Sequence, residues 1–263
     1  MTGKRNYLLT ILAVFTFIVL SATSAFAVDG TTTGDMLYWS EENQQWEILP
    51  APKKNKQRLS FCNGIPKWTD EGCVYAIGDT GPAGGIVFYI EPGTGGRHGL
   101  EASPEDLPGN YIWPCSNTLI NGANRKQMCD SDDGYICINP NDGKPIYEGP
   151  YNTADMLRQD CRGDTAGKAC DEYSLNGYDD WFLPSIAESR TMFKNLHLQG
   201  LGNFRNDGYY QSAYWSSSQA DDTSAIMVIF CTTDACRDQY ITTNEWEAGT
   251  KSDDYYVRAA RIF

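Results

Sequence analysis

Two stretches concentrate the residues that could do chemistry. In "NGYDDWFLPS", residues 176–185, Asp179 and Asp180 stand side by side against Trp181 and its apolar neighbours. Adjacent carboxylates can ligate a metal, serve as an acid/base pair, or accept amide and guanidinium hydrogen bonds that fix a turn. In "YWSSSQADD", residues 214–222, Tyr214 and Trp215 precede three serines, Ser217 among them, and then Asp221 and Asp222. Aromatic faces stack on the apolar faces of sugars while hydroxyls and carboxylates bind sugar hydroxyls, so these five residues are the candidate ligand contacts. Core packing is the competing reading for both stretches.

Other chemistry finds less support. Acidic pairs and clusters at Asp130, Asp132 and Asp133, at Asp179 and Asp180, at Asp221 and Asp222, and at Asp253 and Asp254 offer the hard oxygens that calcium prefers. None has EF-hand spacing, which leaves calcium possible and the metal unknown. The only imidazoles, His98 and His197, sit in no nucleophile–base motif, and no CxxC pair is present, so neither cysteine catalysis nor a structural zinc is expected. Sequence adjacency also differs from the cleft-spanning separation that two glycosidase carboxylates need.

These residues must be positioned by elements the sequence marks. Ser185 followed by Glu188 is a capping box and predicts a helix starting after "LPS". Arg258 and Arg261, three apart in a C-terminal strand, point to opposite faces. One of them is a natural partner for a carboxylate of the "GYDDW" turn, and together with Trp181 these residues form the expected structural turn. "YNTADMLRQDCRGDTAGKACDEYSL" and "SIAESRTMFKNL" read as two helices; "IVFYI" (Ile86 to Ile90), "AYWSSS", "SAIMVIFC", "RDQYITT" and "YYVRAARIF" read as strands. Val87, Phe88, Trp181, Leu183 and Val257 are expected to share one core.

Lys4 and Arg5, an apolar run from Tyr7 to Leu20 and "AFA" at 25–27 form a secretory signal peptide, residues 1–27. The run is shorter than the ~20 residues of a bilayer span, and no cysteine follows the cleavage site, so neither a membrane span nor a lipid anchor is expected. The 236 residues that remain carry 19 basic and 34 acidic side chains. That balance repels phosphate backbones and excludes nucleic acid as a partner. All nine cysteines lie in the exported part, where disulfides form. Cys62–Cys73 and Cys231–Cys236 are the expected local pairs; Cys115, Cys129, Cys137, Cys161 and Cys170 are left for two bridges and one free thiol. Residues 28–74 read as a small β-rich module and 75–263 as the main α+β domain, with long cysteine-pinned loops over 101–150.

"GDTGPAGGIVFYI", "GLEASPEDL", "NGYDDWFLPS", "YWSSS" and "VRAARIF" together resemble the secreted bacterial domain family named for the C-terminal domain of the Legionella collagen-like adhesin, over roughly 75–263. The resemblance implies a C-type-lectin-like α+β fold whose terminal strands pair, with long loops carrying any ligand site, and a binding role without a reaction. The expected function is a secreted, non-catalytic recognition or adhesion domain for a glycan or a surface or extracellular protein. The alternative is a structural or assembly component of the cell surface, a homo-oligomer through the N-terminal module. A hydrolase or an enzyme on a lectin-like fold is a third, weaker reading.

Overall fold

A computed structural model describes residues 33–62, 65–121, 123, 147–159, 163–232 and 246–263. Residues 1–27, read as a signal peptide, "RDQYITT" and the acidic cluster at 130–133 lie outside them. The chain divides into two compact units, Met1–Gln57 and Arg58–Phe263.

In the first unit, β1 (Met36–Ser40) and β2 (Gln45–Leu49) form an antiparallel hairpin in which Trp39 faces Trp46 and Leu37 faces Ile48. Period-two alternation therefore gathers the four apolar side chains on one face. The two indoles meet edge to face at 5.8 Å. On the other face the Tyr38 hydroxyl donates to Glu47 at 2.6 Å.

The second unit opens with another hairpin, β3 (Arg58–Cys62) and β4 (Ile65–Thr69), closed by the Cys62–Cys73 disulfide. The expected boundary at 74 thus shifts to 57. The segment after β4 is tied into the second unit by the Glu71–Arg97 ion pair and by the Tyr75 amide donating to the Gly96 carbonyl. Beyond it come β5 (Ile86–Ile90), β6 (Gly99–Ala102), β7 (Tyr111–Ile112), α1 (Gly149–Arg158), α2 (Ala166–Asp171), α3 (Ile186–Asn195), β8 (Ala213–Gln219), β9 (Ser224–Ile229), β10 (Trp246–Thr250), β11 (Asp254–Tyr255) and β12 (Ala260–Ile262). The sheet orders are β12-β6-β5, β10-β9-β8 and β11-β7, all antiparallel.

This β-rich arrangement, five small sheets among the described residues, corrects the expected C-type-lectin-like α+β fold. The helices among the described residues run only 10, 6 and 10 residues. The first predicted helix is broken in two, because Gly163 adopts a left-handed φ of 109° and Thr165 is extended. The terminal strands also do not pair. A tight connection in which Gly95 and Gly96 are left-handed folds β6 onto β5, and β12 takes the other edge of β6.

The core is likewise two clusters where one was expected. Val87 is buried, but Trp181, Leu183 and Val257 lie in one cluster and Phe88 in the other, with Phe182. The divider is the β8–β9 pair: Trp215, Met227 and Ile229 face the first cluster, while Tyr214, Ile226 and Val228 face the second. A strand buried on both faces reads as a continuous apolar run, which is what "SAIMVIF" is.

Candidate functional site

The "GYDDW" turn is built locally. Asn176 and Gly177 take the paired left-handed conformations of a type I′ turn, closed by hydrogen bonds exchanged between Leu175 and Tyr178 at 3.0 Å. The Asn176 amide donates to the Ala83 carbonyl at 3.1 Å, and the Trp181 indole donates to the Tyr178 carbonyl at 3.2 Å. Phe182 then exchanges two 2.9 Å hydrogen bonds with Ala260, which brings Asp180 to Arg261. These two form an ion pair. Arg261 also lies directly across from Glu101 in the β12–β6 register and donates to it at 2.9 Å, with its guanidinium 4.1 Å from the Tyr178 ring. Glu101 is fully buried and accepts from the Ala83 and Gly85 amides, pinning the "GPAGG" loop. Burial pushes its carboxyl up, opposed by Arg261 and those amides. Asp179 is exposed, and no partner falls to it among the described residues.

Arg258 serves a second hub. Val257 and Ala259 point into the first cluster, and their own carbonyls accept from the Leu107 and Ser103 amides at 2.9 and 2.8 Å, so Arg258 points the other way. Its guanidinium donates to Asp106 at 2.9 and 2.6 Å and to the carbonyls of Ser103, Pro104 and Gly202, and it lies 4.1 Å from the Phe204 ring. The Tyr214 hydroxyl donates to the same Asp106 at 2.9 Å.

Ser185 and Glu188 complete the capping box of α3, with the Ser185 amide donating to Glu188 at 2.6 Å. Glu188 additionally accepts from the Gly149 amide at the start of α1, at 3.4 Å. Burial pushes its carboxyl up to about 7.

The expected sugar-binding stretch is interior. Tyr214 and Trp215 are 2 % and 1 % exposed, so neither ring face is presented to solvent. The Trp215 indole donates to the Tyr111 carbonyl at 2.8 Å. The serines are sockets for helices: Ser217 accepts from Asn152 of α1 at 3.2 Å, and Ser218 accepts from the first amide of α3 at 3.1 Å. Asp221 closes the β8–β9 turn by accepting from the Thr223 and Ser224 amides, and Asp222 is exposed. Sequence reasoning also missed Lys251, which is fully buried and donates to the Thr118 carbonyl at 2.8 Å and to Gln219 at 3.1 Å, over the Trp113 ring. A lysine after a strand reads as solvated, and nothing nearby in sequence marks it otherwise.

Among the described residues no group of three or more His, Cys, Asp or Glu side chains is placed to hold a metal. Cys170 is a free thiol in the first cluster, while the His197 ring packs against Phe193, Phe204 and Phe230 of the second. Burial pushes the thiol up and holds the imidazole below its ordinary range. Cys115 and Cys231 are disulfide-bonded; Cys236, the expected partner of Cys231, lies outside the described residues. No helix among them is long and apolar enough to cross a membrane.

Two surface features among the described residues bear on partners and ligands. One is the apolar face of the β1–β2 hairpin, where Leu37, Trp39 and Trp46 are 48 %, 42 % and 55 % exposed. The other is a cleft of about 370 Å³ in the second unit, between Pro108 and Tyr111 on one side and Asp164, Lys168, Glu172 and Tyr173, on and beside α2, on the other.

No protein-family model matches the chain, so the adhesin-domain resemblance has no counterpart there. No curated protein matches either. Among solved structures, a fimbrial protein from Bacteroides ovatus is similar at 13 % identity and a TM-score of 0.42 over 85 % of this chain. The match spans 60 % of that protein's length, a likeness too slight to assign the fold.

Proposed function

We propose that the chain is an exported, non-catalytic component of the bacterial cell surface that works by protein–protein contact, with the N-terminal hairpin joining it to a second copy. The observation that carries this reading is the contrast between interior and exposed aromatics. Tyr214 and Trp215 are packed away, whereas Leu37, Trp39 and Trp46 stand in solvent on one face of a two-stranded sheet. A self-complementary apolar face of this kind suits an isologous dimer contact. The Cys62–Cys73 bridge and the bonded Cys115 and Cys231 support an oxidising, extracytoplasmic location.

Sedimentation equilibrium on the exported chain tests the reading. Concentration-dependent self-association is expected, lost in a Trp39→Ser, Trp46→Ser double variant that keeps the unfolding midpoint. A wild-type chain that stays monomeric at all concentrations would defeat it.

A further inference from the structure

The charged rim of the cleft beside α2 takes part in none of the structural roles above, and the cleft's chemistry is mixed in a way that selects a ligand. Its two aromatic walls are held rigid. The Tyr111 hydroxyl donates to the Pro108 carbonyl at 2.7 Å, and the Tyr173 ring sits edge-on to Trp181 with centroids 5.1 Å apart. Fixed phenol rings contribute contact area at little cost in conformational entropy. Leu107 and Ala169 supply further apolar surface.

The rim is polar and unsaturated. Lys168 stands between Asp164 and Glu172, one helical turn away on either side, at 3.8 and 3.6 Å. Those separations are longer than hydrogen bonds, so both carboxylates and the ammonium keep capacity for a third party. The carboxylate side chains are 92 % and 64 % exposed, which leaves that capacity reachable from solvent.

Each simple ligand class meets an objection here. An anion faces two carboxylates, and a cation faces the lysine. A wholly apolar molecule would cover the rim charges without satisfying them. A hydroxyl can donate to a carboxylate and accept from an ammonium, and a pyranose carries such hydroxyls around an apolar face that stacks on a phenol ring. The volume lies near the small end of the ~300–1,000 Å³ typical of ligand pockets, which suits a short segment more than a long chain.

We propose that this cleft binds an uncharged saccharide, stacked on Tyr111 and Tyr173 and hydrogen-bonded by Asp164, Lys168 and Glu172. The site is distinct from the Tyr214–Asp222 stretch, and the proposal is independent of self-association through the hairpin.

The test is an NMR titration of the isotopically labelled exported chain, disulfides intact, with maltotriose, mannotriose and triacetylchitotriose in turn at millimolar concentration. Tetramethylammonium chloride and sodium sulfate serve as the cationic and anionic probes. At least one trisaccharide is expected to give saturable shifts at the amides of Ala169, Glu172 and Tyr173. The apparent affinity should fall by about tenfold or more in Tyr111→Leu and in Glu172→Gln. Glu172 is exposed, so its variant decides the matter if Tyr111→Leu does not fold. No saturable shift with any of the three sugars, shifts that saturate elsewhere, unchanged affinity in Glu172→Gln, or saturation by the ammonium or sulfate probe alone would overturn the proposal.

Discussion

The second unit keeps Glu101, Glu188, Lys251, Arg258 and Arg261 inside, while the first unit leaves Trp39 and Trp46 in solvent. Residue type alone assigns these two sets to opposite places. What separates them is the supply of partners. Each buried charge reaches at least one backbone or side-chain group from a distant element, with five donated hydrogen bonds in the case of Arg258. The hairpin, two strands with a four-residue turn, offers each indole only the neighbours on its own face, and Trp39 and Trp46 remain 42 % and 55 % exposed. A buried charge in this chain is therefore evidence of architecture, and an exposed indole is the better pointer to a partner.

The sharpest way to break the comparison is to remove a hub. Arg258→Ala takes the buried guanidinium from Asp106, leaving it the Tyr214 hydroxyl, and removes the donor to three carbonyls, and the expected loss is about 3–5 kcal/mol in denaturant unfolding. A loss under about 1 kcal/mol would mean that the hub is solvated in solution and that the contrast with the hairpin is false.

Next in size is the pH response of Glu188. Its carboxyl lies near 7 in the folded chain against an ordinary value of 4.5, so the folded state holds the proton more tightly than the unfolded one. Stability from this group is fully present below about 4.5, falls as pH rises toward 7 and then levels, by at most about 3 kcal/mol. Unfolding midpoints measured across that window should show the decline, and Glu188→Gln should flatten it. A rise in stability over the same window that Glu188→Gln abolishes would show the carboxylate to be favoured by its amide donors.

The Cys62–Cys73 bridge has a smaller and more local effect. It joins residues 11 apart, so the Cys62→Ser, Cys73→Ser variant should lose roughly 2–3 kcal/mol of loop-closure stabilisation. Hydrogen exchange should quicken at β3 and β4 and stay slow at β8 and β9. Uniform quickening would show that the hairpin is integral to the two-cluster core.

What the sequence made legible follows the same division between local and distant partners. The capping box of α3 is an i, i+3 signal and the Cys62–Cys73 pair closes a short loop, and each was readable as such. Strands β5, β8 and β9 were readable from their apolar runs. The Glu101–Arg261 pair spans 160 residues and the Asp106–Arg258 pair 152, and no local pattern announces either acid. The aromatic-serine stretch was ambiguous because Trp-Ser-Ser has the same composition whether serines meet a sugar or a helix terminus. The fold class went astray for a related reason: helix periodicity across 151–175 does not register the break at Gly163, and pairing of terminal strands overlooks the strand that lies between them.

The smallest expected effect answers the question posed by the adjacent carboxylates. Asp180 joins Arg261 but its side chain is 57 % exposed, while Glu101 on the same guanidinium is fully buried. Solvent screens the outer pair, so Asp180→Asn should cost no more than about 1 kcal/mol, whereas Glu101→Gln should cost about 3 kcal/mol by leaving Arg261 without its buried counter-charge. Asp179→Asn should leave the unfolding midpoint unchanged within error. If instead Asp179→Asn and Asp180→Asn are equally and strongly destabilising, the turn depends on both charges together and a cation shared between them becomes the better account. Adding calcium to the wild-type chain would then raise its midpoint and leave the double variant unmoved.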